Sequence, residues 1–229
     1  MAGTIVAMGG LSWEDEERRR LEDYFLSFAR RERPKVLFVP TASADGAEPT
    51  LWAYQQLADR ADVSHVSFFP WPPGDLRELV LDQDVIYVSG GNTANALAIW
   101  RVHGFDAILR EAWEAGVVLA GWSAGMICWF EAGVTDSFGP QLEGMRDGLR
   151  FLAGSACPHY DGEAERRPVY QRLVAEGYPP GLAADDCVAL CFDGTELAEV
   201  VSARAGSGAY RVTAEGEEPI EPRLLTART

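Results

Sequence analysis

Short apolar runs recur along this chain, separated by longer amphipathic stretches, and that rhythm is its main structural signal. Residues 4–8, 35–39, 63–69 and 84–88 read as strands, each closed by glycine, proline or small polar residues. A fifth apolar run is Val117-Val118-Leu119-Ala120. Between them, 12–31 reads as a helix, with Ser12 placed to cap it, acids at 14–17 in its first turn, and Arg30 and Arg31 in its last. Helical patterns also cover 47–60, 94–100 and 105–115, with a short one at 126–130. Pro70, Pro72, Pro73 and Gly74 force a loop. Apolar runs too short to be helices, alternating with helices, predict an α/β fold whose mostly parallel sheet is covered on both faces. Beyond Gly181, the runs 188–192, 197–201 and 209–212 predict a few antiparallel strands finishing the same domain. The tail after Glu215 has no strong pattern and is expected to be partly mobile. No internal repeat breaks the chain, so 1–229 reads as one domain.

In parallel sheets of this kind, function collects in the loops beyond the carboxyl ends of the strands. Three glycine-containing loops fall there: Gly9-Gly10, Gly90-Gly91 and Gly121-Trp122-Ser123-Ala124-Gly125. The last is a G-x-S-x-G pentapeptide directly after a buried strand, the pattern of a nucleophile elbow. A chain turning sharply from strand to helix has no room for side chains beside the serine, so both flanks are glycine. Ser123 Oγ is then expected at the sheet edge near a helix N-terminus, with the Ala124 N–H free to stabilise an oxyanion. A tight turn whose serine merely caps a helix is the competing structural reading.

A serine nucleophile needs a base, and the chain has three histidines. His65 lies inside a predicted strand, and His103 reads as a helix C-terminal residue beside Gly104. His159, in Cys157-Pro158-His159-Tyr160-Asp161-Gly162, follows a short apolar run and precedes a helix beginning near Glu163. That is a loop at a strand end, the place for a base. Two carboxylates are candidates to orient it: Asp186, before the buried run that starts at Val188, and Asp136, shortly after the elbow helix. Spacing alone does not choose between them. His159 also follows Ser123 too closely for the strands and helices that intervene in α/β-hydrolases.

Composition narrows the function classes. A chain that is 47% hydrophobic and 10% aromatic has the material for a full core and is not disordered. A net charge of −15 argues against binding a phosphate backbone. No apolar stretch has the roughly 20 residues that cross a bilayer, and residues 1–10 do not read as a signal peptide. Cys128, Cys157, Cys187 and Cys191 lack metal-site or disulfide spacing, and read as reduced, mostly buried thiols of a cytoplasmic protein. An exposed sheet edge or patch would allow a homodimer.

Four segments occur together in one order: Phe38-Val39-Pro40-Thr41-Ala42-Ser43, Ser89-Gly90-Gly91-Asn92-Thr93, the Ser123 pentapeptide, and Pro158-His159-Tyr160. In combination they resemble the peptidase E (α-aspartyl dipeptidase) and cyanophycinase family of serine peptidases, over nearly the whole chain. The resemblance implies a fold like the class I glutamine amidotransferase domain, and neither a metal nor an organic cofactor. It implies Ser123 as nucleophile, His159 as base, and Gly91 as a second oxyanion donor beside Ala124. It also implies an acid at Asp186, where a glutamate is common, or at Asp136, near the acid assigned in the dipeptidase branch.

The expected function is therefore hydrolysis of short peptides through an acyl-enzyme. Arg166, Arg167 and Arg172 follow His159 and are candidates to hold a substrate carboxylate, while Asp161 or Glu163 are candidates to pair with a free amino terminus. The segment Glu163-Ala164-Glu165-Arg166-Arg167-Pro168 departs from the dipeptidase branch, so strict aspartyl specificity is not expected. Two alternatives stand beside this reading. One is cyanophycinase-like cleavage of aspartyl-arginine peptides, which an acidic protein would suit. The other is a catalytically silent module that binds a small molecule, against which the intact Ser123, His159 and Asp186 set speaks.

Overall fold

The computed structural model describes residues 3–12 and 14–226. Five parallel strands form one side of an eight-stranded sheet, out to its β3 edge: β1 (Thr4–Met8), β2 (Lys35–Val39), β3 (Asp62–His65), β4 (Val85–Val88) and β5 (Val118–Trp122), in spatial order β1-β5-β4-β2-β3. Beyond β1 the sheet continues through β10 (Val188–Asp193), β11 (Glu196–Ser202) and β14 (Arg223–Leu224), with β10 antiparallel to both β1 and β11. Successive side chains point to opposite faces. Val36, Phe38, Val85, Tyr87, Val118 and Ala120 pack with α1 (Asp15–Leu26) and α2 (Ala47–Leu57). Leu37, Val39, Ile86, Val88 and Leu119 pack with α3 (Leu76–Leu81), α4 (Thr93–Val102) and α5 (Phe105–Glu114). Burial on both faces is why these strands read as unbroken apolar runs. The predicted class, a mostly parallel α/β sheet with antiparallel strands near the C-terminus, is the one observed.

A second sheet was not expected. It has six strands in the order β13-β12-β9-β8-β6-β7, where β6 is Phe130–Thr135, β7 Glu143–Met145, β8 Leu152–Cys157, β9 Gly181–Ala184, β12 Ala209–Thr213 and β13 Gly216–Ile220. The elbow helix α6 (Ala124–Ile127) lasts one turn instead of reaching 130, and the chain passes almost at once into β6. Glycines weaken the strand signal in this region. Gly133 is needed because a Cβ there would lie 2.5 Å from Ile127 Cγ2. One face of the second sheet joins the main core through Phe130, Leu152, Ala156, Leu182 and Ala184. The other is covered by α7 (Arg166–Ala175), whose Tyr170 and Val174 pack on Ala132, Val134, Cys157 and Val212.

Several boundaries differ from expectation. The first helix stops at Leu26, so Arg30 and Arg31 lie outside its last turn, and its capping position is Glu14. Ser12 instead accepts the Glu14 N–H at 3.0 Å. Ser27 Oγ donates to Tyr24 O at 2.6 Å, the kind of local side-chain bond that competes with helix continuation. The third strand ends at His65, α2 ends at Leu57, and α7 begins at Arg166 rather than near Glu163. The stretch after Glu215 is paired: β13 runs against β12, and β14 lies parallel to β11. Those pairings come from backbone bonds that a side-chain pattern does not reveal. Residues 227–229 of that tail lie outside the described residues.

Candidate active site

The strand β5 ends at Trp122 and α6 begins at Ala124, so Ser123 alone turns the chain. It does so with φ 57° and ψ −109°, a left-handed conformation that costs a residue bearing a Cβ on the order of 1–3 kcal/mol. Its N–H donates to Met8 O at 3.1 Å, and its carbonyl accepts from Met126 N at 2.9 Å and Ile127 N at 3.0 Å. The flanking glycines are required by contact. A Cβ at Gly121 would lie 2.6 Å from Gly125 O, and one at Gly125 would lie 2.5 Å from Val88 O.

The register pairs Val88 with Gly121, which sets the loop after β4 beside the elbow. In that loop Gly91 adopts φ 128°, and a Cβ there would run into Ala42 O. The turn after β2 braces the loop from below. Asn92 N–H donates to Ala42 O at 2.8 Å, Ser43 Oγ lies 3.1 Å from Ser89 Oγ, and Trp100 Nε1 donates to Thr41 Oγ1 at 3.0 Å. This gives the Pro40-Thr41-Ala42-Ser43 segment a physical role although it carries no reactive group. Neither the Gly91 N–H nor the Ala124 N–H has a hydrogen-bond partner among the described residues.

His159 stands on the loop after β8, in the second sheet, with φ 52°. Asp186 stands on the crossover from β9 in the second sheet to β10 in the first. His159 Nδ1 and Asp186 Oδ1 are 2.7 Å apart, both side chains about one-quarter exposed. Two glycines make room for the pair. A Cβ at Gly10 would collide with Asp186 Oδ1 and lie 2.7 Å from His159 Nδ1, and one at Gly162 would collide with Asp186 Oδ2. The candidate site therefore sits at the seam between the two sheets.

Ser123, His159, Asp186, Gly90 and Gly91 line one cleft of about 650 Å³. Leu11, Pro49, Trp52 and Trp122 give it an apolar wall, and Ser12, Arg18, Glu48, Gly162 and Glu163 complete it. The Trp52 and Trp122 rings lie 5.6 Å apart, and Trp122 also stacks on Phe38 at 6.2 Å. The one cation in this lining among the described residues, Arg18, is already engaged: it donates to Gln56 Oε1 at 2.9 Å, to Asp15, and to the Ser12 carbonyl.

Of the other site candidates singled out in the sequence, Glu163 lines the cleft and the rest do not. Asp136 is exposed on the β6–β7 loop and is not among the residues lining the cleft. Arg166 is buried, donating to Glu163 Oε2 and Val134 O, both at 2.7 Å. Arg167 pairs with Glu217 and stacks on Tyr160 and Tyr210. Arg172 lies in the last turn of α7 and is not a lining residue either. Asp161 Oδ1 accepts the Asp186 N–H at 2.8 Å. His65 is exposed with Nδ1 3.0 Å from Tyr54 OH, and His103 ends α4. All four cysteines are free and buried. Sequence reasoning missed Gly10, Gly162, Arg18, Trp52 and Glu48 as neighbours of the site. Only Gly10 carried a signal, as the end of a glycine loop after a strand.

Buried beside this pair, Asp185 has its carboxyl pushed up from 3.8 to about 6, chiefly by burial. Among the described residues no group of three or more His, Cys, Asp and Glu is arranged to hold a metal ion, and no helix is long and apolar enough to cross a membrane.

Residues 5–200 match the sequence profile of peptidase family S51. The chain is 49% identical over 211 residues to a Bacillus subtilis protein named uncharacterized peptidase YgaJ, covering 91% of each. It is 28% identical over 174 residues to Peptidase E of Shewanella denitrificans, covering 71% of this chain and 73% of that one. The crystal structure of a peptidase from an acI-B1 actinobacterium has the same fold, with a TM-score of 0.69 at 20% identity, over 97% of this chain and 95% of that one.

Proposed function

This chain belongs to peptidase family S51, and from that premise we propose that it is a single-domain serine peptidase that hydrolyses short peptides through an acyl-enzyme. The observation that carries the reading is the strained Ser123 sharing a cleft with His159, whose Nδ1 lies 2.7 Å from Asp186. Asp186 fixes the tautomer in which His159 Nε2 is the free base. His159 takes the Ser123 proton as Oγ attacks the peptide carbonyl, and the N–H groups of Gly91 and Ala124 receive the oxyanion. The imidazolium then protonates the leaving amine, and water, activated by the same histidine, releases the acid. Each oxyanion donor contributes about 10²–10³ in kcat at sites of this type. Asp136 has no part in this reading, because the carboxylate within hydrogen-bond distance of His159 Nδ1 is that of Asp186.

Two features of the cleft bear on the substrate. Among the described residues its one cation, Arg18, is committed to Gln56, Asp15 and Ser12, so none of these lining residues offers a free guanidinium to an aspartyl side chain. Glu163 rims the cleft with Oε2 held by the buried Arg166. A carboxylate so fixed favours the ammonium of a free amino terminus, and the Trp52 and Trp122 wall favours an apolar first residue.

A dipeptide panel tests this, comparing the wild type with Ser123→Ala at pH 7.5 without added metal. Cleavage of Leu-Leu, Met-Leu and Ala-Leu ahead of Asp-Leu, abolished in the variant, is the expected result. Preference for a β-aspartyl-arginine dipeptide would move the enzyme to the cyanophycinase side, to which the acidic rim of Glu48 and Glu163 is also suited. Activity that survives Ser123→Ala would refute the serine mechanism, and no cleavage of any peptide would favour a silent binding module.

A further inference from the structure

We propose that Asp161 is a positioning residue, whose carboxylate holds the backbone of Asp186 so that the Asp186 side chain meets His159. The proposal rests on the serine-peptidase reading above. Asp161 follows His159 by two residues, and its Oδ1 accepts the Asp186 N–H at 2.8 Å. A carboxylate accepting a backbone N–H makes a charge-assisted bond, stronger than a neutral one. The neighbouring Tyr160 N–H donates to Ala184 O at 3.2 Å. With the 2.7 Å contact between His159 and Asp186, three hydrogen bonds tie the turn after β8 to the end of β9 and the turn that follows it.

Within the Asp186 turn the Val188 N–H donates to Asp185 O at 3.3 Å, but the N–H groups of Asp186 and Cys187 are held from outside it. Cys187, the next residue, sits at φ 68°, and its N–H is held from a different segment, by Gly10 O at 3.0 Å. Two consecutive N–H groups are thus fixed by two separate parts of the chain. Gly10 and Gly162 leave no slack on either side of the carboxylate, so a small shift of the Asp186 backbone changes its side-chain position directly. Asp161 itself does not line the cleft, which separates it from Glu163, two residues on, which does.

The test is steady-state kinetics on a cleaved dipeptide for wild type, Asp161→Ala, Asp161→Asn, Asp161→Glu and Ser123→Ala. A misplacement of about 1 Å in a reacting pair costs about 10²-fold, so Asp161→Ala is expected to lower kcat about 10- to 100-fold with KM little changed. Asp161→Asn keeps an acceptor oxygen at the same reach and is expected to recover most of kcat. Asp161→Glu keeps the charge but displaces the oxygen by one methylene, and is expected to lose activity as alanine does. The downfield proton resonance of the His159 Nδ1–H should move or broaden in Asp161→Ala and return in Asp161→Asn, which a purely structural role would not produce.

A loss confined to KM would make Asp161 a substrate contact and overturn the proposal, as would a wild-type kcat in Asp161→Ala. If the alanine variant does not fold, equal kcat for Asp161→Asn and Asp161→Glu overturns it instead. An active Ser123→Ala defeats the underlying mechanism, whereas an inactive Ser123→Ala beside a fully active Asp161→Ala defeats this proposal alone.

Discussion

His159 and Asp186 meet at 2.7 Å from turns that follow different strands of the second sheet, and Asp186 begins the crossover that carries the chain back to the first. That contact is the reason the proposed mechanism uses Asp186 and not Asp136, which spacing left equal. In the proposed mechanism, Asp186→Asn removes the group that fixes the His159 tautomer and is expected to lower kcat about 10³- to 10⁴-fold. Asp136 is exposed on another loop, so Asp136→Asn should stay close to wild type. Kinetics of the two variants side by side check this, and a large loss in Asp136→Asn alone would reverse the assignment.

Gly10 gives a prediction that depends on shape rather than charge. An added methyl there would overlap Asp186 Oδ1 and crowd His159 Nδ1 at 2.7 Å. Gly10→Ala is therefore expected to abolish measurable turnover while the far-UV spectrum stays native. Substrate hydrolysis within a factor of a few of wild type would mean that the His159–Asp186 contact has no catalytic weight.

The main sheet was legible because its strands are buried on both faces and so appear as apolar runs; 35–39 was read to the residue as β2. Ser123 was legible because its turn demands glycine on both sides, a requirement written in residue identities. The second sheet was not, since α6 is one turn long and glycines at 133, 144, 154 and 181 dilute the strands carrying the histidine. Without that sheet, the relative placement of His159, Asp161 and Asp186 has no basis in spacing. Arg166 shows the same limit: a helix arginine after the histidine looks available to substrate, yet it is buried against Glu163 and Val134.

Glu163 offers a test of the amino-terminal reading. Its Oε2 is held by Arg166 Nε at 2.7 Å, leaving the other oxygen for a substrate ammonium. Glu163→Gln is expected to raise KM about 10-fold for free dipeptides, the size of one charge-assisted bond, with kcat little changed. N-acetylated peptides should be poor substrates of both proteins. Equal KM values for free dipeptides in wild type and variant would remove Glu163 from the substrate site.

Asp185 predicts a pH dependence of stability. One of its oxygens accepts the Gly208 N–H at 2.7 Å, and the other has no partner among the described residues. Burial, aided by the Asp161 and Asp186 charges, raises its carboxyl from 3.8 to about 6 against the pull of Gly208 and Arg167. A raised folded pKa means that the folded state holds the proton more tightly. The associated stability is then fully present below about pH 4 and lost as pH rises through about 6. Asp185→Asn cannot ionise, so it should gain on wild type across that window, by up to about 3 kcal/mol at pH 7.5. Denaturant melts at pH 4 and pH 7.5 measure this, and a difference between the two proteins that does not change with pH would contradict it.

Strain at Ser123 separates stability from activity. Its φ of 57° with ψ −109° is unfavourable for any residue with a Cβ but open to glycine. Ser123→Gly should therefore melt higher than Ser123→Ala, because alanine removes the hydroxyl and keeps the strain. Relief of on the order of 1–3 kcal/mol is partly offset by the greater backbone freedom of glycine in the unfolded chain, leaving about 1 kcal/mol, or roughly 2–4 °C in Tm. Both variants should be inactive, since the nucleophile is gone from each. If alanine melts as high as glycine, the backbone at 123 stores no strain, and the elbow turn costs the fold nothing.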